Sequence, residues 1–143
     1  MPIELTVVTP EQEVFSGAVD DVVLPGTEGD FGVLENHERF LAPLRIGEVE
    51  VKRDGTTHWA AISEGFAQVT ADKVIVLVDT CEMASKIDVA RAEAAKARAE
   101  RALKEIEAGQ VEETRFHTYE AALQRAVIRI QVAGRGGSVR PTH

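Results

Sequence analysis

Aromatic side chains are scarce in this chain: one tryptophan, one tyrosine and five phenylalanines, 5% of 143 residues. That excludes a single large aromatic core. The lone cysteine, Cys81, excludes an intramolecular disulfide and fits a reducing compartment or a thiol that is simply buried. No apolar run approaches the ~18–20 residues that cross a bilayer. The Met-Pro-Ile start carries neither a basic segment ahead of an apolar one nor an Arg-rich amphipathic stretch, so no signal or transit peptide is expected. Any membrane association is therefore expected to come through a protein partner.

Catalytic groupings are lacking too. His37, His58, His117 and His143 are scattered without metal-ligand spacing. There is no P-loop and no G-x-S-x-G segment. Asp20 and Asp21 are neighbours on an expected strand, where they point to opposite faces and make a poor acid/base pair. Glu112-Glu113 suits a helix N-terminus, where the dipole favours negative charge. Asn36-His37 reads as a turn with a hydrogen-bonded histidine rather than a dyad. Trp59 and Phe66 are most simply core residues. An enzyme is not expected, and no cofactor is required.

What is present is 44% hydrophobic and 28% charged, which fits a soluble globular protein of one ordinary domain or two small ones. The net charge of −8 is uneven. Residues 1–86 hold 16 acidic and 6 basic side chains, a net of −10; residues 87–143 hold 8 and 10, a net of +2. An acidic first part is unsuited to nucleic acid. The basic second part suits an acidic protein surface or a nucleotide, or is simply a solvated helix face.

Residues 3–79 read as many short strands. Ile3, Leu5 and Val7 alternate with Glu4 and Thr6, and Val49 and Val51 alternate with Glu48, Glu50 and Lys52. Asp54-Gly55 is a hairpin signal, and Ala71-Asp72 is another tight connection. Val74–Val78 is apolar on both faces, which predicts a central strand. Short strands with frequent turns point to a β-sandwich or flattened barrel. The pattern changes near residue 85. Ser85 is the expected N-cap, with Asp88 in the first turn. Residues 88–108 hold eight alanines and no Gly or Pro, with Ala92, Ala95, Ala99, Leu103 and Ile106 in an apolar stripe. Gly109-Gln110 breaks this helix. A second is expected from about 112 to 133, with a stripe of Phe116, Tyr119, Leu123, Ala126 and Ile130. The fold class is thus α+β in two parts: a sandwich of about ten short strands over 1–84 and an antiparallel two-helix hairpin over 85–133. A tail over 134–143, poor in apolar residues, is expected to be flexible. An alanine-lined seam buries little area, at roughly 25 cal/mol per Å². The hairpin therefore suits a two-state element that opens or detaches.

Two sets of residues have functional potential. In the stretch 20–41, Gly26, Gly29 and Gly32 shape an acidic loop carrying Thr27, Glu28 and Asp30 on a β scaffold. It has no nucleophile and no phosphate cradle, and looks built to touch another surface. On the hairpin, Arg98 lies two turns beyond Arg91, and Arg125 and Arg129 share a face four residues apart. Folding the hairpin would gather guanidinium groups in a geometry suited to phosphate oxygens. Exposed pairs at such spacings are also cheap and common.

Three blocks resemble one family. VFSGAVD at 14–20 followed by LPGTEGDFGVLENH at 24–37, ISEGFAQVTADKVIVLVDTCE at 62–82 and IDVARAEAAKARAERAL at 87–103 are similar, in order, to the epsilon subunit of F-type ATP synthases, bacterial type. The resemblance implies a non-catalytic central-stalk subunit, peripheral on the cytoplasmic side of a bacterial plasma membrane. Its sandwich would dock on the γ subunit and the c-ring. Its hairpin would lie folded, or extend to meet acidic loops of the β subunits and inhibit ATP hydrolysis. Glu28, Gly29 and Asp30 match the c-ring-facing loop, and Asn36 and His37 the γ-facing side. Glu38-Arg39 departs from the family's usual Ala-Pro at that step, which bears on the loop and not on the fold. Ile87-Asp88-x-x-Arg91-Ala92 looks like the nucleotide motif of some members. It implies Glu82, Asp88, Arg91 and Ala92 near adenine and ribose, with Arg98, Arg125 and Arg129 near phosphates, and ATP as a regulatory ligand. The alternative is a free-standing ATP-sensing adaptor module with no rotary partner.

Overall fold

A computed structural model describes residues 3–33, 39–109 and 112–139. Ten strands occupy the first part: β1 Ile3–Val8, β2 Glu13–Val19, β3 Asp21–Gly26, β4 Gly29–Val33, β5 Phe40–Leu44, β6 Gly47–Arg53, β7 Thr56–Ile62, β8 Gly65–Val69, β9 Lys73–Val78 and β10 Cys81–Met83. Two helices follow, α1 Val89–Glu107 and α2 Phe116–Val139. The expected sandwich and hairpin are both present.

The strands form one sheet in the order β10-β7-β6-β3-β5-β8-β9-β1-β2, with β4 paired to β3. Among the described residues every pairing is antiparallel except β1 with β9. The sheet folds over on itself. Asp20 N–H donates to the Lys52 carbonyl at 2.8 Å, and Arg53 lies over the Phe15 ring at 5.8 Å, tying β2 towards β6. Alternation sends the aliphatic side chains inward: Leu5, Val19, Val22, Leu24, Val33, Val69, Val74 and Val76 are nearly or fully inaccessible. Asp54 (φ 52) and Gly55 (φ 78) make the two-residue turn between β6 and β7, whose left-handed residues match the twist of paired strands.

β7 has two working faces. Ala60 and Ile62 lie in the sandwich core, while Trp59 and Ala61 face a second cluster with Ile87, Ile128, Val132 and Ala133. α2 packs on β7 and α1 packs chiefly on α2, so α2 is the middle layer. Ala92, Ala99 and Ile106 are the buried part of the α1 stripe.

Several expectations change. Ser85 is not the cap of α1. Residues Ala84–Lys86 make a 3-10 turn, Ile87 is extended (φ −78, ψ 127), and the Asp88 carboxylate accepts the Arg91 N–H at 3.1 Å as N-cap. Burial of Ile87 between sandwich and hairpin fixes that extended residue, and the helix can begin only after it. Phe66 is not a core residue but 51% exposed, and Leu77 of the central strand β9 is 46% exposed. α2 does not stop at 133. It continues to Val139, well into the segment expected to be a tail. Glycines 134, 136 and 137 weaken it by about 1 kcal/mol each, but Arg135 finds a partner on the sandwich. Phe116, placed in the α2 stripe, is 40% exposed.

Candidate functional site

The outer face of β5, β8, β9 and β1 carries an apolar band. Register puts Pro43 opposite Phe66, Phe66 opposite Leu77, and Leu77 opposite Val8, one rung crossing four strands. The rung two residues along reads Leu41, Gln68, Ile75, Thr6. Leu41 is 64% exposed, so the face is open rather than capped by the hairpin, which lies on β7. Val8, Thr9, Pro10, Pro43, Phe66 and Leu77 border a shallow groove along it. Sequence reasoning missed this surface, because Val74–Val78 is apolar at every position. Such a run fits a strand buried on both faces and equally one with an exposed apolar face.

The glycine-shaped loop is a two-residue turn, Thr27-Glu28, closing β3 and β4 between the paired Gly26 and Gly29. Gly29 has φ +131, which side-chain-bearing residues rarely adopt, and a Cβ on Gly26 would sit 2.8 Å from the Gly29 carbonyl oxygen. Glu28 and Asp30 are exposed. Asp30 pairs with Arg45 of the loop after β5, and no ion pair to Glu28 is found among the described residues. Asn36 and His37 lie outside the described residues.

A cleft of about 470 Å³ opens between the sandwich edge and the hairpin. Thr9, Glu11 and Gln12 come from the β1–β2 turn, Asp79 and Thr80 from the link before β10, Cys81 and Glu82 from β10, and Ala95, Ala122, Arg125, Ala126 and Arg129 from the helices. Of the seven residues expected around a nucleotide, Glu82, Arg125 and Arg129 line it. Asp88 caps α1, Ala92 is fully buried, and Arg91 and Arg98 are exposed away from the lining. Arg129 is engaged: its Nε and Nη2 donate to the two oxygens of Glu82 at 2.5 and 3.3 Å. Cys81 sits in the same cleft, and burial first, then the Glu82 charge, pushes its thiol up to about 11. A second pair lies further along α2. Arg135 Nε donates to Glu48 Oε1 at 2.7 Å, and its guanidinium lies 4.3 Å from the centre of the Trp59 ring. Glu48, Trp59 and Arg135 were not anticipated as a group. Arg135 falls in a glycine-rich segment, and nothing in local spacing links it to a residue 87 positions earlier.

Two family models cover nearly the whole chain: the ATP synthase delta/epsilon chain β-sandwich domain matches residues 2–84, and the delta/epsilon long α-helix domain matches residues 85–134. The chain belongs to the ATP synthase delta/epsilon family. Among its relatives, the epsilon chain of Geotalea daltonii is 45% identical over 135 residues, covering 94% of this chain and 96% of that one. The epsilon chain of Trichlorobacter lovleyi is 47% identical over 133 residues, covering 93% and 94%. A chain in the OSCP/F1/c-ring structure of the Euglena gracilis mitochondrial ATP synthase has the same fold, with a TM-score of 0.75 at 24% identity over 96% of this chain and 81% of that one. This family member is a non-catalytic subunit chain. No helix among its described residues is long and apolar enough to cross a membrane.

Proposed function

We propose that this epsilon-family chain is a rotor subunit of the central stalk, joining the γ subunit to the c-ring and restraining ATP hydrolysis through its hairpin. The observation that carries the docking half is the exposed apolar rung Pro43–Phe66–Leu77–Val8. An open aliphatic and aromatic face on an otherwise acidic sandwich favours a protein partner, and the γ subunit is the partner read here. The Thr27-Glu28 turn, at one end of the sheet and carrying an exposed carboxylate, is read as the part that meets the polar loops of the c-ring. The subunit would then sit peripherally on the cytoplasmic side of the membrane, through its partners. The hairpin supports the regulatory half: the buried face of α1 is mostly alanine, and α2 carries three arginines, Arg125, Arg129 and Arg135, whose charge is suited to acidic loops of the β subunits. ATP is read as a regulatory ligand of the cleft, with its phosphates near Arg125 and Arg129, and not as a required cofactor. The free-standing sensor reading leaves the apolar rung without a purpose.

The test is reconstitution with the remaining synthase subunits. Phe66→Glu and Leu77→Glu alter exposed positions, so the isolated variants should melt like wild type. Their affinity for a γ-containing subcomplex should fall by about tenfold or more, as expected for charging the centre of an apolar patch. Removing residues 85–143 should leave assembly intact and raise ATP hydrolysis. Normal assembly of both Glu variants would overturn the docking assignment, and unchanged hydrolysis after truncation the regulatory one.

A further inference from the structure

Two of the three arginines that the proposed function assigns to outside partners, Arg129 and Arg135, are already occupied. Arg129 makes a two-oxygen fork with Glu82, and both side chains are only partly exposed, 25% and 37%. Arg135 reaches Glu48 of β6, whose side chain is 18% exposed, and covers the face of Trp59. Both carboxylates belong to the sandwich and both guanidiniums to α2. Between them lies the small apolar cluster of Ala61, Ile87, Ile128 and Val132. Such a cluster is thin, three of its members being alanines (Ala61, Ala84 and Ala133), and the charge-assisted bonds stand at its two ends. The Trp59 Nε1 atom beneath is buried with no acceptor among the described residues, a polar group that would gain a water partner were α2 to lift.

We propose that these two pairs form an electrostatic latch that keeps the hairpin closed on the sandwich without any bound ligand. Glu82 and Glu48 act as an internal stand-in for the acidic surface that α2 would otherwise meet. Opening requires both pairs to break, and an outside acidic surface competes for Arg129 and Arg135 on equal chemical terms. A phosphate-bearing ligand entering the cleft must likewise displace Glu82 from Arg129, so the Glu82 carboxylate and a bound anion compete for that side chain.

The latch rests on the reading of the hairpin as a movable regulatory element, but it is measured on the isolated full-length chain. It can fail while subunit docking and inhibition stand, and the reverse also holds. Two reporters are built in. Trp59 is the chain's single tryptophan and is not part of the cleft that holds Arg129; Cys81 is its single cysteine, in a cleft that Arg135 does not line. Each pair is therefore broken at one end and read at the other. Arg129→Gln should make Trp59 more accessible to acrylamide and shift its emission to the red. Arg135→Gln should speed alkylation of Cys81 by about three- to tenfold, the range for losing a partly buried charge-assisted pair. Potassium chloride at about 0.5 M, where screening acts over only a few ångströms, should move both readouts in wild type in the same direction. Exchanging the charges, Glu48→Arg with Arg135→Glu, should restore slow alkylation where each single change does not. Inorganic tripolyphosphate should bind Glu82→Gln more tightly than wild type. If Glu82 serves only as a ligand for a base or sugar, that affinity will not rise. Unchanged reporters in both single variants, or a charge exchange that fails to restore protection, would overturn the latch.

Discussion

Gly26, Gly29 and Gly32 look alike as residues and differ in what they are for. Gly29 needs its backbone angle, with φ +131, and Gly26 needs its missing side chain, because a Cβ would meet both the Gly29 carbonyl and the Phe31 ring within 3 Å. Gly32 has no positive φ, and the nearest atom to a Cβ there is 4.0 Å away. Gly26→Ala and Gly29→Ala should each lower stability by about 1 kcal/mol or more, while Gly32→Ala should be neutral or slightly stabilising. Urea titrations of the three variants check this, and equal effects at all three would contradict it. Cys81 gives a second residue-level expectation. With its thiol raised from the ordinary 9.0 to about 11 by burial, the reactive thiolate at pH 8 is about a hundredfold rarer than for a free thiol. Alkylation by iodoacetamide should be slowed by that order and accelerate on denaturation. The folded state holds this proton more tightly than the unfolded one. Stability should therefore be flat in this group below pH 9 and fall between pH 9 and 11, and a Cys81→Ala variant should lose that part of the decline.

Among elements, the hairpin and the outer sheet face show opposite economies of side-chain size. Two of the three buried residues of α1 are alanines, Ala92 and Ala99 at 0% and 3% exposed, so its packing on α2 buries little area. Ala99→Leu adds volume where none is free. It should cost about 1–3 kcal/mol and loosen the hairpin while the sandwich keeps its own transition. Two-probe melting, with far-UV dichroism for helix and exchange protection for β9, separates the two. The outer face instead presents large groups to solvent: Leu41, Phe66 and Leu77 fill no core, and that is why their replacement by charge should spare stability and remove binding. The cap at Asp88 shows how an element's edge is set from outside. Ser85 and Asp88 are both good N-caps, and burial of Ile87 chooses the second.

For the whole molecule, the division of labour lies in where the aliphatic core ends. The buried residues of the main core all fall within 3–78, with Cys81 and Met83 of β10 packed against them; the core is closed by the β1–β9 pairing and includes no residue of either helix. Residues 1–84 alone should therefore fold, with a cooperative thermal transition. They should also be less soluble than the full chain, because Trp59 and Ala61 lose their cover. A noncooperative melt of that fragment would show that the hairpin is part of the fold and not an attachment to it. The charge asymmetry has the same geometry: an acidic sandwich face under a basic helix is drawn together within one chain before any partner is present.

Local patterns in the sequence determined most of the elements. Alternation in Ile3–Val7 and Val49–Val51, the Asp54-Gly55 turn and the alanine-rich stretch ending at Gly109 are short-range signals. They reflect steric and solvation preferences of a few neighbouring residues, and the family blocks carried the rest of the architecture. What only the tertiary structure decided were the features that depend on residues far apart in the chain. These are which face of β9 is open, that α2 runs past Gly134 because Arg135 meets Glu48 and Trp59, that Arg129 is spent on Glu82, and that Asp88, Arg91 and Arg98 are not gathered with it. Each is settled by a contact whose free energy outweighs the local preference, and such a contact leaves no mark in the spacing of either partner.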